Sequence, residues 1–323
     1  MSAARILLLA LVAAIPSSAS ASGGPRPSVK GIYGQDDRLD VFQADEAQKA
    51  LADSVASLWE EALLEYDPLS GAYKLFTRSF ADKLGLCPSE PFREQPTGPV
   101  CTATLVGDDL LLTAGHCVLN EKECAKSRFV FGFAIKDASG TAPSSVPPTE
   151  VYACAEVVSR YVNHNSTSAV RADYALVRLD RKVRGHRIVP ISREGGIAKG
   201  DAVFMLGYPS GLPLKVVGGA VVRDASDAGF FLADLDAFGG NSGSPIFNAR
   251  TNAIEGVLFA GDADFGLNED ETCVVVARRG QNEGSGEAAT KISLLRSLIP
   301  PPGPAPEALG SLRALGRFSR YRP

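Results

Sequence analysis

Two series of short apolar runs, separated by turn-forming residues, constrain this chain more than any other feature. The first series lies at 100–106, 109–113, 128–135, 150–158 and 174–179, and the second at 201–206, 214–223, 229–233, 252–260 and 272–277. Glycine, proline, asparagine and aspartate punctuate both series, and long helical periodicity is rare. Many short strands joined by turns predict an all-β sandwich or a pair of barrels.

Segments outside the two series have a different texture. The polar, arginine-rich stretch 180–200 separates the series and is interpreted as the connection between two barrels. Residues 45–66 carry helical apolar spacing, although Ser54-Val55-Ala56 fits the start of a strand equally well, so both alternatives stay open. Residues 288–299 (AATKISLLRSLI) show amphipathic spacing and predict one closing helix.

The amino-terminal end is typical of an exported protein. Residues 1–21 combine Arg5, an apolar stretch of about ten residues and Ala19-Ser20-Ala21, which is the pattern of a cleaved signal peptide and too short to span a bilayer. No later segment is long and apolar enough to predict a membrane span, so a secreted protein is expected. The division of the chain that follows is 1–21 signal peptide, 22–30 propeptide or linker, 31–97 amino-terminal segment, 98–182 first barrel, 183–280 inter-barrel connection and second barrel, 281–299 closing helix, and 300–323 Pro/Arg-rich tail.

Charge and cysteine content exclude several classes of protein. With 33 Lys+Arg against 37 Asp+Glu, the formal charge is −4, which gives no basic footprint for nucleic acid. All six cysteines lie beyond the predicted signal peptide, and an even number in an exported chain favours disulfides. No CxxC pair occurs and only three histidines are present, so neither a metal site nor a cofactor is expected.

Three separate segments carry candidate chemistry. LLLTAGHCV (110–118) is a strand ending in a small-residue turn that presents His116, DYALVRLD (173–180) begins with Asp173, and FGGNSGSPIFN (238–248) holds Ser242 in a glycine-rich loop. Each motif alone has an ordinary structural interpretation. Together they supply a hydroxyl, a base near neutral pKa and a carboxylate to orient the base, the parts of an activated nucleophile.

TAGHC, DYALVRL and GNSGSP, in the order His, Asp, Ser, resemble the chymotrypsin-type serine proteases over roughly residues 98–280. The resemblance implies two antiparallel six-stranded β-barrels and a secreted serine endopeptidase that acts on proteins or peptides as a monomer. It assigns Ser242 as nucleophile, His116 as general base and Asp173 as the group orienting His116. The backbone N–H groups of Gly240 and Ser242 would bind the oxyanion.

Within that family, two features are similar to the bacterial glutamyl-endopeptidase branch. Asn241 precedes the nucleophile where trypsin and its close relatives have Asp, so it cannot form their ion pair with a new amino terminus. GIYGQDDR (31–38) resembles the mature start of the branch, which implies processing after Lys30.

The substrate pocket departs from the branch pattern. Ala237 and Leu258 stand where the branch carries a hydroxyl and a His that help to bind a substrate carboxylate, and Phe259 follows as a further pocket residue. Asp236 lies six residues before Ser242, where trypsin has its pocket-floor Asp, so a basic P1 residue is favoured over an acidic one. The alternative is that Asp236 caps a turn in a differently shaped loop.

The resemblance also implies a Cys101–Cys117 disulfide that fixes the histidine loop. Cys124 and Cys154 flank runs that could be neighbouring strands and form the natural second pair, which leaves Cys87 with Cys273, although four cysteines allow three pairings. The rival function is a secreted pseudo-protease acting as a binding module, but all three candidate triad residues are present. A lipase or esterase is disfavoured because strand-like sequence follows Ser242, and a zinc peptidase lacks HExxH.

Overall fold

A computed structural model of the chain describes residues 31–261 and 263–301. The predicted signal peptide, the segment 22–30 and most of the predicted tail lie outside these residues. In chain order the strands are β1 Ile32–Tyr33, β2 Arg38–Asp40, β3 Val55–Glu60, β4 Leu64–Asp67, β5 Ala72–Leu75, β6 Arg78–Ser79, β7 Pro96–Thr97, β8 Cys101–Leu105, β9 Leu110–Thr113, β10 Ser127–Val130, β11 Ser145–Val146, β12 Val151–Asn163, β13 Ala172–Leu179, β14 Ala202–Gly207, β15 Lys215–Asp224, β16 Phe230–Ala233, β17 Pro245–Asn248, β18 Ile254–Ala260, β19 Phe265–Leu267, β20 Val274–Val276, β21 Arg278–Arg279 and β22 Glu287–Lys291. The helices are α1 Glu46–Ala52, α2 Phe80–Leu84 and α3 Glu121–Ala125. In the part of the chain that the structure describes, no helix has the length and apolar character needed to cross a membrane.

Six antiparallel strands close the first barrel in the order β10-β12-β13-β9-β8-β3. Its interior is filled by fully buried side chains such as Phe129, Phe131 and Leu111. The strand sequences are nearly continuous apolar runs because the barrel interior lies on one face and the second barrel or surface loops cover much of the other.

The second barrel consists of β14, β17, β18, β22, β16 and β15, and the β14–β15 pairing closes it. Strand β2 adds a seventh strand beside β15. Met205, Val217, Phe231 and Ile246 are fully buried in its core. The predicted architecture of two six-stranded antiparallel barrels is therefore confirmed, and each of the ten predicted runs contains a strand.

The segment 45–66 combines both alternatives left open by its sequence. The Asp45 side chain caps α1 by accepting the Gln48 N–H, and the Gln48 side-chain oxygen accepts the Asp45 N–H, which forms a capping box at the start of the helix. The helix ends at Ala52, and β3 follows as a strand of the first barrel. The first barrel therefore begins at Val55 and not at residue 98.

The predicted closing helix over 288–299 is wrong. Its first part is β22, which lies between β16 and β18 and completes the second barrel. A 3-10 turn over Ile292–Leu294 follows, and Ile292, Leu295 and Ile299 are buried. The buried positions therefore have helical spacing in the sequence. The two neighbouring strands, however, need a strand between them to pair their backbone N–H and C=O groups, and this pairing overrides the local helical propensity.

An aromatic stack joins the two barrels. The rings of Trp59 and Phe133 meet edge to face at 5.1 Å, and Phe133 stacks on Tyr208 of the second barrel at 6.3 Å. The Tyr208 hydroxyl donates to the carbonyl of Val55 on β3 (3.0 Å). Because these side chains are all buried, the barrels share one apolar interface, and groups at its rim are held in fixed relative positions.

The amino-terminal segment 31–40 packs on the second barrel. Strand β1 pairs in parallel with β21, and β2 pairs with β15. The fully buried Lys215 donates to the Asp40 carboxylate and to Gln95 (2.6 Å). Burial lowers the pKa of Lys215 to about 8, although Asp40 acts in the opposite direction.

All six cysteines form disulfides, in the pairs Cys87–Cys273, Cys101–Cys117 and Cys124–Cys154. The first pair is the longest-range of the three and ties the amino-terminal segment to the loop before β20. The second pair joins the start of β8 to the turn after β9. These are the pairs favoured from the sequence.

His186, in the segment that connects the barrels, contacts two carboxylates. Its Nδ1 lies 3.0 Å from the Asp53 carboxylate and its Nε2 lies 2.8 Å from the Glu150 carboxylate, while the ring stacks on Phe131 at 4.3 Å. Burial alone would lower the pKa of His186, but the two carboxylates outweigh it and raise the pKa to about 9.

We predict that His186→Gln destabilises the protein by about 2 kcal/mol near pH 6, since charge-assisted hydrogen bonds to two carboxylates are lost. The folded-state pKa of about 9 exceeds the unfolded value of 6.5, so this stabilisation is complete below about pH 6.5 and is lost as the pH rises through about 9. Urea unfolding of both proteins with intact disulfides, near pH 6 and near pH 10, measures the difference. A free-energy difference that stays the same at both values would contradict the assignment.

Candidate active site

Asp173 lies near the start of β13 and has no exposed surface. One carboxylate oxygen accepts the backbone N–H groups of Gly115 (2.5 Å) and His116 (3.1 Å). The other oxygen lies 2.8 Å from His116 Nδ1 and 2.9 Å from His164 Nε2. Four donors therefore surround one buried carboxylate, which satisfies its acceptor sites without water.

The environment of Asp173 favours its ionised form. Burial alone would raise the pKa of this carboxyl, but the hydrogen bond and charge of His116, with a further hydrogen bond from His164, hold it below its usual value. The backbone of Asp173 is fixed from the second barrel, since its N–H donates to Thr290 Oγ1 and its carbonyl accepts the Thr290 hydroxyl, both at 2.9 Å. The carboxylate is thus a fixed negative charge at the interface of the two barrels.

His116 lies in a 3-10 turn, Gly115–Cys117, directly after β9. The turn approaches β12 and β13 so closely that a Cβ at Gly115 would lie 2.7 Å from the carbonyls of Tyr161 and Tyr174. Arg160 Nε donates to the Gly115 carbonyl (2.7 Å), and the Cys101–Cys117 disulfide ties the other end of the turn to β8. The imidazole itself is 36% exposed, so one edge faces Asp173 while the ring remains accessible.

Ser242 lies in a tight loop between β16 and β17. Gly240 and Gly243 on either side have φ of 95° and 89°, a region that only glycine adopts without strain. A Cβ at Gly240 would lie 2.5 Å from the Tyr208 carbonyl, and one at Gly243 would lie 2.0 Å from the Thr102 carbonyl. The glycines around Ser242 are therefore required both by conformation and by close packing.

Thr102 on β8 of the first barrel binds this loop through two hydrogen bonds. The Thr102 N–H donates to the Ser242 carbonyl and its hydroxyl donates to the Gly240 carbonyl, both at 2.9 Å. The Ser242 carbonyl also lies 3.6 Å from Cys117 Sγ, one residue after His116. The structure thus brings the loops carrying Ser242 and His116 into contact around one point.

The backbone N–H groups of Gly240 and Ser242 are the predicted oxyanion donors. Among the described residues, neither has a hydrogen-bond acceptor, whereas the neighbouring Gly239 N–H donates to Asp264 (2.6 Å) and the Gly243 N–H donates to the Leu258 carbonyl (2.7 Å). The loop therefore presents two backbone N–H donors beside Ser242 that could both bind an oxyanion.

Asp236 is placed differently from a pocket-floor residue. Its two carboxylate oxygens accept the backbone N–H groups of Tyr33 and Asp37, each at 2.8 Å, and it is 2% exposed. Burial raises its pKa to about 7 despite these bonds, with Asp36 and Asp37 adding to the effect. This arrangement matches the alternative in which Asp236 has a structural role, because both oxygens bind the amino-terminal segment and the side chain is almost completely buried.

Three predicted pocket residues are buried beside the loop that carries Ser242, namely Ala237, Leu258 and Phe259. The Leu258 backbone brackets this loop, since its carbonyl accepts the Gly243 N–H and its N–H donates to the Ser244 carbonyl (3.0 Å). Neither Ala237 nor Leu258 offers a polar side chain. These positions therefore supply apolar walls and no partner for a substrate carboxylate.

Two further residues at the site were not predicted from the sequence. His164 contacts the carboxylate of Asp173, and Asp264 anchors Gly239 next to the loop glycines. The position of His164 could have been found, because the hairpin of β12 and β13 pairs Asn163 with Ala172 and so folds His164 back toward Asp173. Asp264 follows β18 in a loop with no sequence signal of its own.

The cluster of Cys101, His116 and Cys117 has three atoms of metal-ligand type within 4.8 Å of one another. Both sulfur atoms belong to one disulfide, so they are not thiolates and do not fit a metal ion.

The sequence also matches a known protein family. Residues 101–257, which contain His116, Asp173 and Ser242, match the family described as "Trypsin-like peptidase domain". No curated protein sequence matches the chain.

Several solved structures are similar to this chain at low identity. One is a Glu endopeptidase in complex with MPD, with 18% identity over 83% of this chain and 96% of that chain and a TM-score of 0.46. The Vibrio cholerae VesB protease has 15% identity over 84% of this chain and 67% of that chain, with a TM-score of 0.46. The human heparin binding protein has 13% identity over 84% of this chain and 100% of that chain, with a TM-score of 0.47.

Proposed function

We propose that the chain is a chymotrypsin-like serine protease with Ser242, His116 and Asp173 as its catalytic triad, since residues 101–257 match the trypsin-like peptidase domain family. The observation that carries the proposal is the buried Asp173 carboxylate held 2.8 Å from His116 Nδ1, on the loop that contacts the Ser242 carbonyl. The runner-up is a binding module without catalysis, and the presence of all three candidate triad residues argues against it.

In the proposed reaction, Ser242 Oγ attacks the carbonyl carbon of the scissile peptide bond while His116 Nε2 removes the hydroxyl proton. The resulting tetrahedral intermediate collapses, the C–N bond breaks, and His116 delivers the proton to the leaving amine. Water then hydrolyses the acyl-enzyme by the same transfers. Asp173 keeps the proton of the neutral ring on Nδ1 and stabilises the imidazolium that forms.

The N–H groups of Gly240 and Ser242 stabilise the oxyanion in both tetrahedral intermediates. Since neither has another acceptor among the described residues, no hydrogen bond must break when negative charge develops. A preorganised donor of this kind contributes about 3 kcal/mol to the lowering of the barrier.

We predict that Ser242→Ala and Asp173→Asn each lower kcat for a peptide substrate by a factor on the order of 10⁴ or more. The first removes the nucleophile, and the second replaces the charge that fixes the His116 tautomer. Hydrolysis by purified protein, followed with a chromogenic peptide, measures both. Asp108→Asn is the matched control, because the same change on an exposed turn should leave kcat unchanged.

A serine-directed phosphonate separates a protease from a binding module in the same preparation. The proposal expects stoichiometric labelling of the wild-type protein at Ser242 and no labelling of Ser242→Ala. Wild-type protein that folds, keeps its disulfides and resists the phosphonate would refute the triad.

We further propose that the preference for a basic over an acidic P1 residue resides in Asp264 and not in Asp236. The Asp264 carboxylate accepts the N–H of Gly239, beside the oxyanion loop, through one oxygen only. Burial raises its pKa to about 6, although the Gly239 N–H and the charge of Arg38 act in the opposite direction. At neutral pH this carboxylate is therefore ionised and has an oxygen available for a cation.

We predict that Asp264→Asn lowers kcat/KM for peptides with Arg at P1 by about tenfold or more, while peptides with Gln at P1 change little. In the wild-type protein the preference for Arg should also weaken as the pH falls through about 6, because the protonated carboxyl carries no charge. Asp236→Asn is the matched control and should leave the Arg-to-Gln ratio unchanged. Preferential cleavage after Glu would contradict the assignment.

Secretion and amino-terminal processing are the remaining parts of the proposal. Three disulfides fit an oxidising compartment, in line with the signal-peptide pattern at residues 1–21. The buried residues Gly31 and Ile32 already pack on the second barrel, which supports processing at Lys30.

We predict that the secreted protein begins at Gly31, since cleavage there leaves the packed segment intact. Intact-mass and amino-terminal sequencing of protein exported by a bacterial host measure the start. An amino terminus at Ser22, or one beyond Arg38, would contradict processing at Lys30.

A further inference from the structure

The carboxylate of Asp173 is shared by two imidazoles. His116 Nδ1 lies 2.8 Å and His164 Nε2 lies 2.9 Å from the same oxygen, Oδ2. The other oxygen is taken by the backbone N–H groups of Gly115 and His116. His164 is therefore the only side chain besides His116 that donates to this carboxylate within residues 31–261 and 263–301.

His164 is held in place from two sides. Its ring stacks on Phe259 at a centroid distance of 5.2 Å and an interplanar angle of 28°. The loop that carries it is ordered by Asn163, whose side chain bonds Ser168 (2.9 Å) and the Asn165 N–H (3.0 Å). These contacts restrict the ring of His164 to the orientation in which it contacts Asp173.

The protonation state of the contact follows from its partner. Asp173 is an ionised acceptor, since its pKa lies below the usual value, so His164 Nε2 must carry a proton. His116 needs the opposite arrangement, with its proton on Nδ1 and Nε2 free to accept from a hydroxyl. The two rings therefore occupy complementary tautomers around one oxygen.

We infer that His164 is a positioning residue, whose hydrogen bond orients the Asp173 carboxylate and limits the negative charge that it offers to His116. The inference rests on the proposed triad. The side chain of His164 is 49% exposed, so it reaches the buried carboxylate from the solvent side.

The surroundings of His164 are mixed in charge. It lines a cavity of about 510 Å³ together with Arg171, Asp227 and Asp224. Arg171 and Asp227 are paired at 2.8 Å, so they largely offset each other. Asp173 is therefore the charged group that contacts His164 directly.

Two amide variants separate positioning from simple packing. His164→Gln places an amide N–H as far from Cβ as the original Nε2–H, whereas His164→Asn has the same amide too short to reach Asp173. We expect His164→Asn to lower kcat by about tenfold with KM changed less than about twofold, because one hydrogen bond to a charged group is lost. His164→Gln should keep kcat within about threefold of the wild type.

The pH profile is the readout that a packing role would not move. In His164→Asn the acid limb of kcat/KM should differ from that of the wild type, because the carboxylate that orients His116 has lost a hydrogen bond, whereas His164→Gln should keep the wild-type limb. Equal kcat in the two variants, or the same acid limb in all three proteins, would overturn the inference.

A second measurement does not depend on catalysis. In a Ser242→Ala background, the far-downfield proton resonance of His116 Nδ1–H reports the hydrogen bond to Asp173 directly by NMR. We expect its chemical shift to differ between the parent protein and His164→Gln, and its signal to broaden by solvent exchange in His164→Asn. An identical resonance in all three proteins would refute the positioning role.

The two measurements also distinguish the inference from the proposed function. If the wild type neither cleaves peptides nor reacts with the phosphonate, the triad fails, while the NMR comparison still decides whether His164 holds the Asp173–His116 pair. Thermal midpoints within about 2 °C of the parent protein verify that each variant is folded.

Discussion

The buried negative charge of Asp173 is the constraint on which the rest of the site depends. An ionised carboxylate without solvent contact is tolerated only when donors surround it, and here they come from the turn after β9, from His116 and from His164. Thr290 on the second barrel fixes its backbone. The charge therefore needs both barrels in place, so that the fold of each half and the geometry of the imidazole are specified together.

The loop that carries Ser242 depends in turn on the first barrel. Ser242 belongs to the second barrel, yet Thr102 on β8 holds the carbonyls on both sides of the loop, and the adjacent Cys101 binds Cys117 beside His116. One short strand thus positions hydroxyl and imidazole at once. Gly243, which has a positive φ, makes this approach sterically possible, because a side chain there would collide with the Thr102 carbonyl and separate the barrels where they meet.

The sequence predicted what local pattern determines and missed what distant contacts determine. Ten apolar runs located ten strands, and the motifs located the three candidate triad residues, because alternation and motif spacing are local signals. The helix predicted over 288–299 became β22 because the gap between β16 and β18 demanded a strand, which no local signal encodes. Asp236 could be placed only once residues 33 and 37 were known to lie against it, 203 and 199 positions away in the chain.

The amino-terminal segment extends this mutual dependence to the oxyanion loop. Residues 31–38 lie between β21 and the loop that leads to Ser242, where Asp236 accepts two of their N–H groups and Ile32 packs on Phe238. The Phe238 carbonyl in turn accepts the N–H of Asn241 (2.9 Å), the residue that precedes Ser242. The conformation of the Gly240 and Ser242 donors is therefore set partly by a segment far away in sequence, and any change at residue 31 acts on the loop through direct packing.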